Sequence, residues 1–420
     1  MQVCEKCRPY IKELTRKQRE ENEELKKRVE KLERRLAAYE NPHTPSSCKL
    51  IKQKPQCARK QSVPKKRGRP KGSRGTTRPF AKPTRTDEKT FDACPVCSGA
   101  LMSLYQKTLV AEELPKPQPI EVVEYVENHY GCASCGEITA TPENMPSRGR
   151  FGIRMLAQCT VMKFEDRLTF RKLEAAMQRT YGIAITPASI MGMTRTVSDA
   201  LAAEHAMLIE KIRASPRVHA DETSLRISGI RHWIWIFVTD DAVLVVIRRS
   251  RSGSVVYEIL GDYKGVVICD GWKPYAKFGY TIQRCWAHLL REAKDANVNM
   301  HRALCALFAD AKSGTLSRHA AEYRLRSIMS RHYKGEKIRK VMTKMNNGFG
   351  NWFTFLEHNV EPTNNTAEQA LREHVIIRKI IGGLRSAAGA RTHEVIMSCF
   401  ATWKKLGLNV FEALLIRLRS

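Results

Sequence analysis

Between Arg217 and Asp270 the chain holds four apolar, β-branched runs: Val218–Leu225, Trp233–Val238, Val243–Ile247 and Gly265–Cys269. Short runs of this kind, bounded by turn residues, read as strands. The first three follow one another across tight turns and form a meander. Ser252–Leu260 has the length of a short helix that carries the chain over to a parallel fourth strand. That order fits an RNase H-like α/β core.

Three acidic residues attach to this frame. Asp221 lies on the first strand, Asp270 ends the fourth, and Glu368 opens a helical pattern that starts after Pro362 and the Asn364-Asn365 pair, with Ala367, Ala370, Leu371 and Arg372 in its first turns. The first and fourth strands should be neighbours, so carboxylates far apart in sequence would meet. Clustered carboxylates repel unless a cation lies between them, and an all-oxygen site suits Mg²⁺ or Mn²⁺. The pattern points to metal-dependent phosphoryl transfer, with Asp221, Asp270 and Glu368 both catalytic and metal-binding.

Each residue also has a plainer reading. Glu222 stands on the face opposite Asp221, so a register error of one residue would exchange ligand and surface charge. Asp270-Gly271 is a common turn pair, and Glu368 has capping-box spacing from Asn365. The three together on a basic chain favour a site. Asp240, Asp241, Asp262 and Asp295 fall in turns or on helix faces.

For a chain of 420 residues with formal charge +29 and a pI near 9.8 a polyanion is the expected partner, with a basic membrane-surface protein as the competing reading. Nucleic acid is the natural polyanion, since Lys and Arg release counterions when they neutralise phosphates. No apolar stretch approaches the roughly 20 residues of a membrane span, and no export signal is read, so a cytoplasmic, nucleoid-associated location is expected and no membrane partner. The thirteen cysteines are then expected to be reduced or zinc-bound.

Leu25, Val29, Leu32, Leu36 and Tyr39 recur at alternating four- and three-residue steps, the seam of a coiled coil, with Asn22 at a register-fixing position. A homo-oligomer through this helix is expected; a single amphipathic helix packed on its own domain is the alternative. Cys4 and Cys7 precede it as a lone Cys-x-x-Cys. Residues 41–90 form a basic, Pro- and Ser-rich linker whose acidic residues are Asp87 and Glu88. Within it, Lys65-Lys66-Arg67-Gly68-Arg69-Pro70 resembles an AT-hook: with no bulk at Gly68, Arg67 and Arg69 can enter a narrow A·T minor groove. A basic tail touching phosphates alone is the plainer reading.

Cys94-Pro95-Val96-Cys97 and Cys132-Ala133-Ser134-Cys135 are two knuckles, each followed closely by glycine; together they are expected to make a four-thiolate structural zinc site, with Ile120 to Tyr130 read as the strand pair of a zinc ribbon and a redox dithiol pair as the alternative. Residues from about Arg148 to Ala214 read as helical, with a break near Tyr181-Gly182 that allows either a helix-turn-helix or a packed helical subdomain.

The segments His219-Ala220-Asp221-Glu222-Thr223, Cys269-Asp270-Gly271-Trp272 with Tyr275, Cys285-Trp286-Ala287-His288 and Pro362-Thr363-Asn364-Asn365-Thr366-Ala367-Glu368 resemble the insertion-sequence IS66 family of DDE transposases. The likeness extends over nearly the whole chain, including the leading helix, the Asn41–Ser46 turn, the basic linker and the four-cysteine domain. It implies that Asp221, Asp270 and Glu368 are the catalytic triad. It also implies that the activity is cleavage of the element's DNA ends and strand transfer to target DNA, with accessory proteins of the element as further partners. Gln369 stands where the family often has Arg, and the linker departs from the family's Gly/His-rich form. Cys285 and His288 match a Cys-x-x-His pattern of the family; with two ligands visible, a packed pair is the reading. Arg372, Arg378 and Lys379 are candidate phosphate contacts. A catalytically silent DNA-binding protein on the same fold and an endonuclease or resolvase that does not join strands are the competing functions.

The expected organisation is multidomain α/β. It comprises a coiled-coil helix (1–40), linker (41–90), zinc ribbon (91–147), helical connector (148–215), first part of the RNase H-like core (216–296), helical insertion (297–361), and core completion with C-terminal helices (362–420).

Overall fold

The computed structural model describes residues 82–111, 120–142, 144–145, 149–271 and 273–419, together with scattered positions between 13 and 29. Two compact units divide the chain, Met1–Gln118 and Pro119–Ser420, so the boundary falls inside the stretch read as one zinc ribbon.

In the first unit the described positions between 13 and 29 are helical, and Asn22, Leu25 and Val29 are exposed. Leu32, Leu36 and Tyr39 of the seam, Cys4, Cys7 and the AT-hook-like residues Lys65, Lys66, Arg67, Gly68 and Arg69 lie outside the described residues. Residues 82–111 are irregular around a turn at Cys94–Cys97.

The second unit begins with a hairpin of β1 (Asn128–Cys132) and β2 (Gly136–Ala140). The strand pair expected over Ile120 to Tyr130 is displaced: residues 120–127 are irregular, and pairing occurs astride the second knuckle. Gly136, at φ +77°, supplies the left-handed residue that folds the chain back just after Cys135.

Four helices follow: α1 (Ile153–Phe164), α2 (Phe170–Tyr181), α3 (Pro187–Ala200) and α4 (Ala202–Ala214). Thr169 caps α2, Gly182 at φ +67° ends it, and Thr186 caps α3 with Pro187 in its first turn. Leu173, Met177, Ile190, Met193 and Val197 are buried in one core with the sheet, so this segment is a packed helical layer.

The sheet has five strands: β3 (Arg217–Ile227), β4 (Ile230–Val238), β5 (Val243–Arg248), β6 (Val266–Cys269) and β7 (Thr281–Arg284), in spatial order β5-β4-β3-β6-β7. β3, β4 and β5 form the antiparallel meander; β6 and β7 run parallel to β3. α5 (Gly253–Leu260) makes the crossover. Alternation along β4 sends Ile234, Ile236 and Val238 into a core with α1–α3 and the C-terminal helices, and Trp235 and Phe237 into a second core with α4 and α5. Each of these large side chains, removed from water, contributes roughly 1.5–3 kcal/mol.

After β7 the chain forms α6 (Trp286–Ala296), α7 (Val298–Lys312), α8 (Arg318–Ser330) and α9 (Glu336–Asn347), which close a third core around Trp286, Trp352 and Phe353. It then returns as α10 (Asn365–Ile381), α11 (Ala387–Lys405) and α12 (Val410–Arg419). α11 seals the edge of the sheet. On β5, Val243 N–H donates to Thr402 Oγ1 at 3.0 Å, Val245 N–H to Ser398 Oγ at 2.8 Å, and Ile247 N–H to Glu394 Oε1. Thr402, Ser398 and Glu394 recur every four residues on one helix face and satisfy every second N–H of an edge strand that would otherwise invite pairing.

Candidate active site

Asp221 and Asp270 lie level with each other on neighbouring parallel strands. The register pairs Arg217 with Val266, Val218 with Val267 and His219 with Ile268; continued two residues past His219, it sets Asp221 opposite Asp270, the residue that follows β6. Alternation along β3 points Val218 and Ala220 into the α4–α5 core, so Asp221 emerges on the other face, toward α10.

Glu222 is on the opposite face from Asp221, as the period requires, but it is not a surface charge. Its side chain is 1% exposed. Oε1 accepts from Arg251 Nε and Nη2 at 2.9 and 2.7 Å, and Oε2 from the Tyr275 hydroxyl at 2.9 Å. Every oxygen of this carboxylate is thus engaged by an anchor.

Glu368 comes from the first turn of α10, and that turn is bolted to β3. The N-cap is Asn364, one residue before the asparagine of the expected capping box. Its side chain points away from the helix: Nδ2 donates to the carbonyl of Ala220 at 2.9 Å, and Oδ1 lies 3.2 Å from His219 Nδ1. Its backbone N–H donates to Cys285 Sγ at 3.2 Å, Cys285 N–H donates to the carbonyl of Cys269 at 2.9 Å, and Trp286 N–H to that of Pro362 at 3.0 Å. These bonds tie the ends of β6 and β7 and the starts of α6 and α10 into one knot that carries Glu368 toward the strands of Asp221 and Asp270; among the described residues the donors that close to within 4.8 Å of one another are those of Cys285, His288 and Glu368, not those of the three acidic positions. Glu368 Oε1 stands 3.6 Å from His288 Nδ1.

The electrostatics register the gathering. Burial, then the charges of Glu222, Asp270 and Glu368, push Asp221 up to about 7, against the pull of the Glu222 N–H that donates to Asp221 Oδ1 at 2.9 Å. Burial and Asp270 also raise Glu222, opposed by Arg251 and Tyr275. Burial is the larger cause at Asp221, and the neighbouring carboxylates add to it; a cation beside them would favour the charged form. The positive charge close by is fixed in place: Arg284, 4% exposed, donates from Nη1 to the carbonyl of Gly271 at 3.2 Å and from Nη2 to that of Asn347 at 3.3 Å. Gly271 lies close to two cationic side chains: a Cβ there would come within 2.7 Å of Lys344 Cε, the movable end of a flexible chain, and 3.3 Å of Arg284 Nη1.

The model of the Transposase IS66 family matches residues 148–392, more than half of the chain and all three acidic positions. The chain belongs to the IS66 transposase family. An uncharacterized protein of Sinorhizobium fredii, y4hP, is 24% identical over 224 residues, which are 47% of this chain and 40% of that protein. The matched region therefore spans well under half of that relative's length.

Around this IS66 transposase domain the other expected site residues fall into distinct groups. Arg372 and Lys379 are exposed on α10. Arg378 is not available to phosphate: it is 7% exposed, and Nη1 donates to Thr223 Oγ1 at 3.0 Å and to the carbonyl of Ser224, so it is a brace between α10 and β3. Within its own unit, Cys94 is held below the usual thiol range by the N–H groups of Cys97 and Val96; Cys132, on the hairpin, is lowered likewise by those of Ser134 and Cys135. These turns favour thiolates. Among the described residues no helix is long and apolar enough to cross a membrane. Asn364 is read from sequence only as part of a helix start, and His219 and Arg284 have no role there; the last two are polar residues within otherwise buried strands.

Proposed function

We propose that this IS66-family chain is a DDE transposase that cleaves the ends of its insertion sequence and joins them to target DNA, with Asp221, Asp270 and Glu368 holding Mg²⁺ or Mn²⁺. The carrying observation is the level placement of Asp221 and Asp270, with Glu368 close enough to raise the same carboxyl. The donor set is all oxygen, which suits these ions. The strand order β5-β4-β3-β6-β7, a meander followed by two parallel strands, supports the reading of an RNase H-like core.

When bound, the ions supply an activated nucleophile and offset charge on the leaving oxygen. The chain's own part is positioning: β3 and β6 fix two carboxylates at one level, and the Asn364 knot brings in the third. Water attacks phosphorus and the 3′ oxygen leaves; the freed 3′-hydroxyl then attacks a target phosphate, one P–O bond forming as another breaks. No covalent protein intermediate is needed. Arg372 and Lys379 are free to meet DNA phosphates from the exposed side of α10. Each Cys-x-x-Cys turn offers a thiolate pair to structural zinc, the basic linker with Arg67 and Arg69 adds DNA affinity, and the N-terminal helix joins copies into an oligomer. The domain boundaries inferred from sequence form part of the same proposal.

The test uses full-length protein and a labelled duplex carrying the terminal repeat found beside its gene. Asp221→Asn, Asp270→Asn and Glu368→Gln should each abolish Mg²⁺-dependent cleavage and joining to plasmid while retaining duplex binding. Wild-type joining by any of them rules out the triad. Cleavage without joining by the unaltered protein would make it a nuclease.

A further inference from the structure

Cys285 opens α6 in the manner of a metal knuckle. Besides the Asn364 N–H, the N–H groups of His288 and Ala287 point at its Sγ. Those two stand third and second after the cysteine, as Cys97 and Val96 do after Cys94, and Cys135 and Ser134 after Cys132. The spacing of these N–H groups is the same at all three cysteines, but Cys285 opens a helix and burial pushes its thiol up where those of Cys94 and Cys132 are lowered; at this third place His288 stands where the second cysteine does. Cys285 Sγ, a ring nitrogen of His288 and a carboxylate oxygen of Glu368 all lie within 4.8 Å of one another. His288 Nδ1 and Glu368 Oε1 are shielded from solvent and have no hydrogen-bond partner among the described residues. Two polar atoms left so beside a thiol are costly unless something joins them.

We propose that Cys285, His288 and Glu368 form a binding site for a thiophilic divalent cation of the zinc class. Sulfur, imidazole and one carboxylate suit zinc and not Mg²⁺, which takes oxygen and keeps its water. Tetrahedral zinc with bonds near 2.1 Å sets its nitrogen and oxygen donors roughly 3.4 Å apart, close to the 3.6 Å between His288 Nδ1 and Glu368 Oε1. Side chains of His288 and Glu368 that are 26% and 30% exposed leave an entry path. The ion fastens the start of α6 to the start of α10 and uses Glu368 Oε1, leaving the other oxygen for the proposed catalytic ions. The site itself stands without the transposase reading; only its effect on Glu368 deepens that reading.

The test is zinc bound per chain after equilibrium dialysis of full-length protein without DNA. Cys285→Ser and His288→Gln should each carry one zinc fewer than the unaltered protein, or bind it about tenfold or more weakly. With Co²⁺ in place of zinc, the thiolate charge-transfer absorption should fall in Cys285→Ser, and its remainder, from the other knuckles, should persist. Should Cys285→Ser fail to fold, His288→Gln decides alone, because His288 is partly exposed on a helix. Zinc content and affinity in His288→Gln equal to those of the unaltered protein overturn the proposal and leave Cys285 and His288 a packed pair. Since no cleavage is measured, a failure of the catalytic reading would leave this count unaffected.

Discussion

Asn364 Nδ2 donates to the carbonyl of Ala220 at 2.9 Å, and through that bond the helix carrying Glu368 is registered against the strand carrying Asp221. Asn364 is fully buried and holds contacts to β3 and to Cys285 at once. Asn364→Ala removes a buried side-chain donor and acceptor and leaves Ala220 and His219 unpaired, which should cost about 1–3 kcal/mol in denaturant unfolding. DNA cleavage should fall more steeply than stability, because Glu368 loses its registration. Unchanged stability and cleavage would mean that the turn is held by its backbone alone.

Asp221 makes the metal-free protein pH-sensitive. Its folded value, about 7, lies above the ordinary carboxylate range, so the contribution of the protonated form is present at low pH and lost as pH rises through 7. Asp221→Asn should therefore raise the melting temperature of EDTA-treated protein, and raise it more at pH 8 than at pH 6. A gain independent of pH would separate Asp221 from the carboxylate cluster.

Glu222 is an anchor beside the site, not a member of it. Tyr275→Phe, which removes one of its donors, should cost about 1 kcal/mol in unfolding, and Glu222→Gln should lower stability while leaving Mn²⁺ affinity nearly unchanged. Loss of Mn²⁺ binding in Glu222→Gln would move this residue into the metal site.

The seal on the sheet edge gives a test of the fold itself. Ser398→Ala strips the acceptor from Val245 N–H, and a buried unpaired amide should cost about 1–3 kcal/mol by thermal or denaturant melting. A neutral outcome would show that water reaches β5.

Much of this arrangement is written locally. β3 to β6 are legible because their alternation and turn residues agree, and that pattern carries Asp221 and Asp270 to their places. β7 is not: Thr281-Ile282-Gln283-Arg284 has no apolar period, since its buried polar residues are connectors. Gln283 donates to the carbonyls of Arg284 and Trp352 and accepts from Phe355 N–H, joining the sheet to the helical insertion. The bonds to Trp352 and Phe355 depend on residues about seventy positions away and leave no local trace. Arg378 misleads for a related reason. A helix pattern identifies which residues share a face, but the strand that claims this guanidinium lies over 150 residues earlier. Cys285 and His288 likewise show two ligands in sequence, and only the fold brings the third.

If Asp221, Asp270 and Glu368 hold divalent cations together, anomalous scattering from Mn²⁺ in crystals of the full-length protein will locate them. The expected result is manganese density in contact with Asp221 and Asp270 and reaching Glu368, absent in crystals of Asp270→Asn. Manganese bound elsewhere, or density at this position that persists in Asp270→Asn, contradicts it.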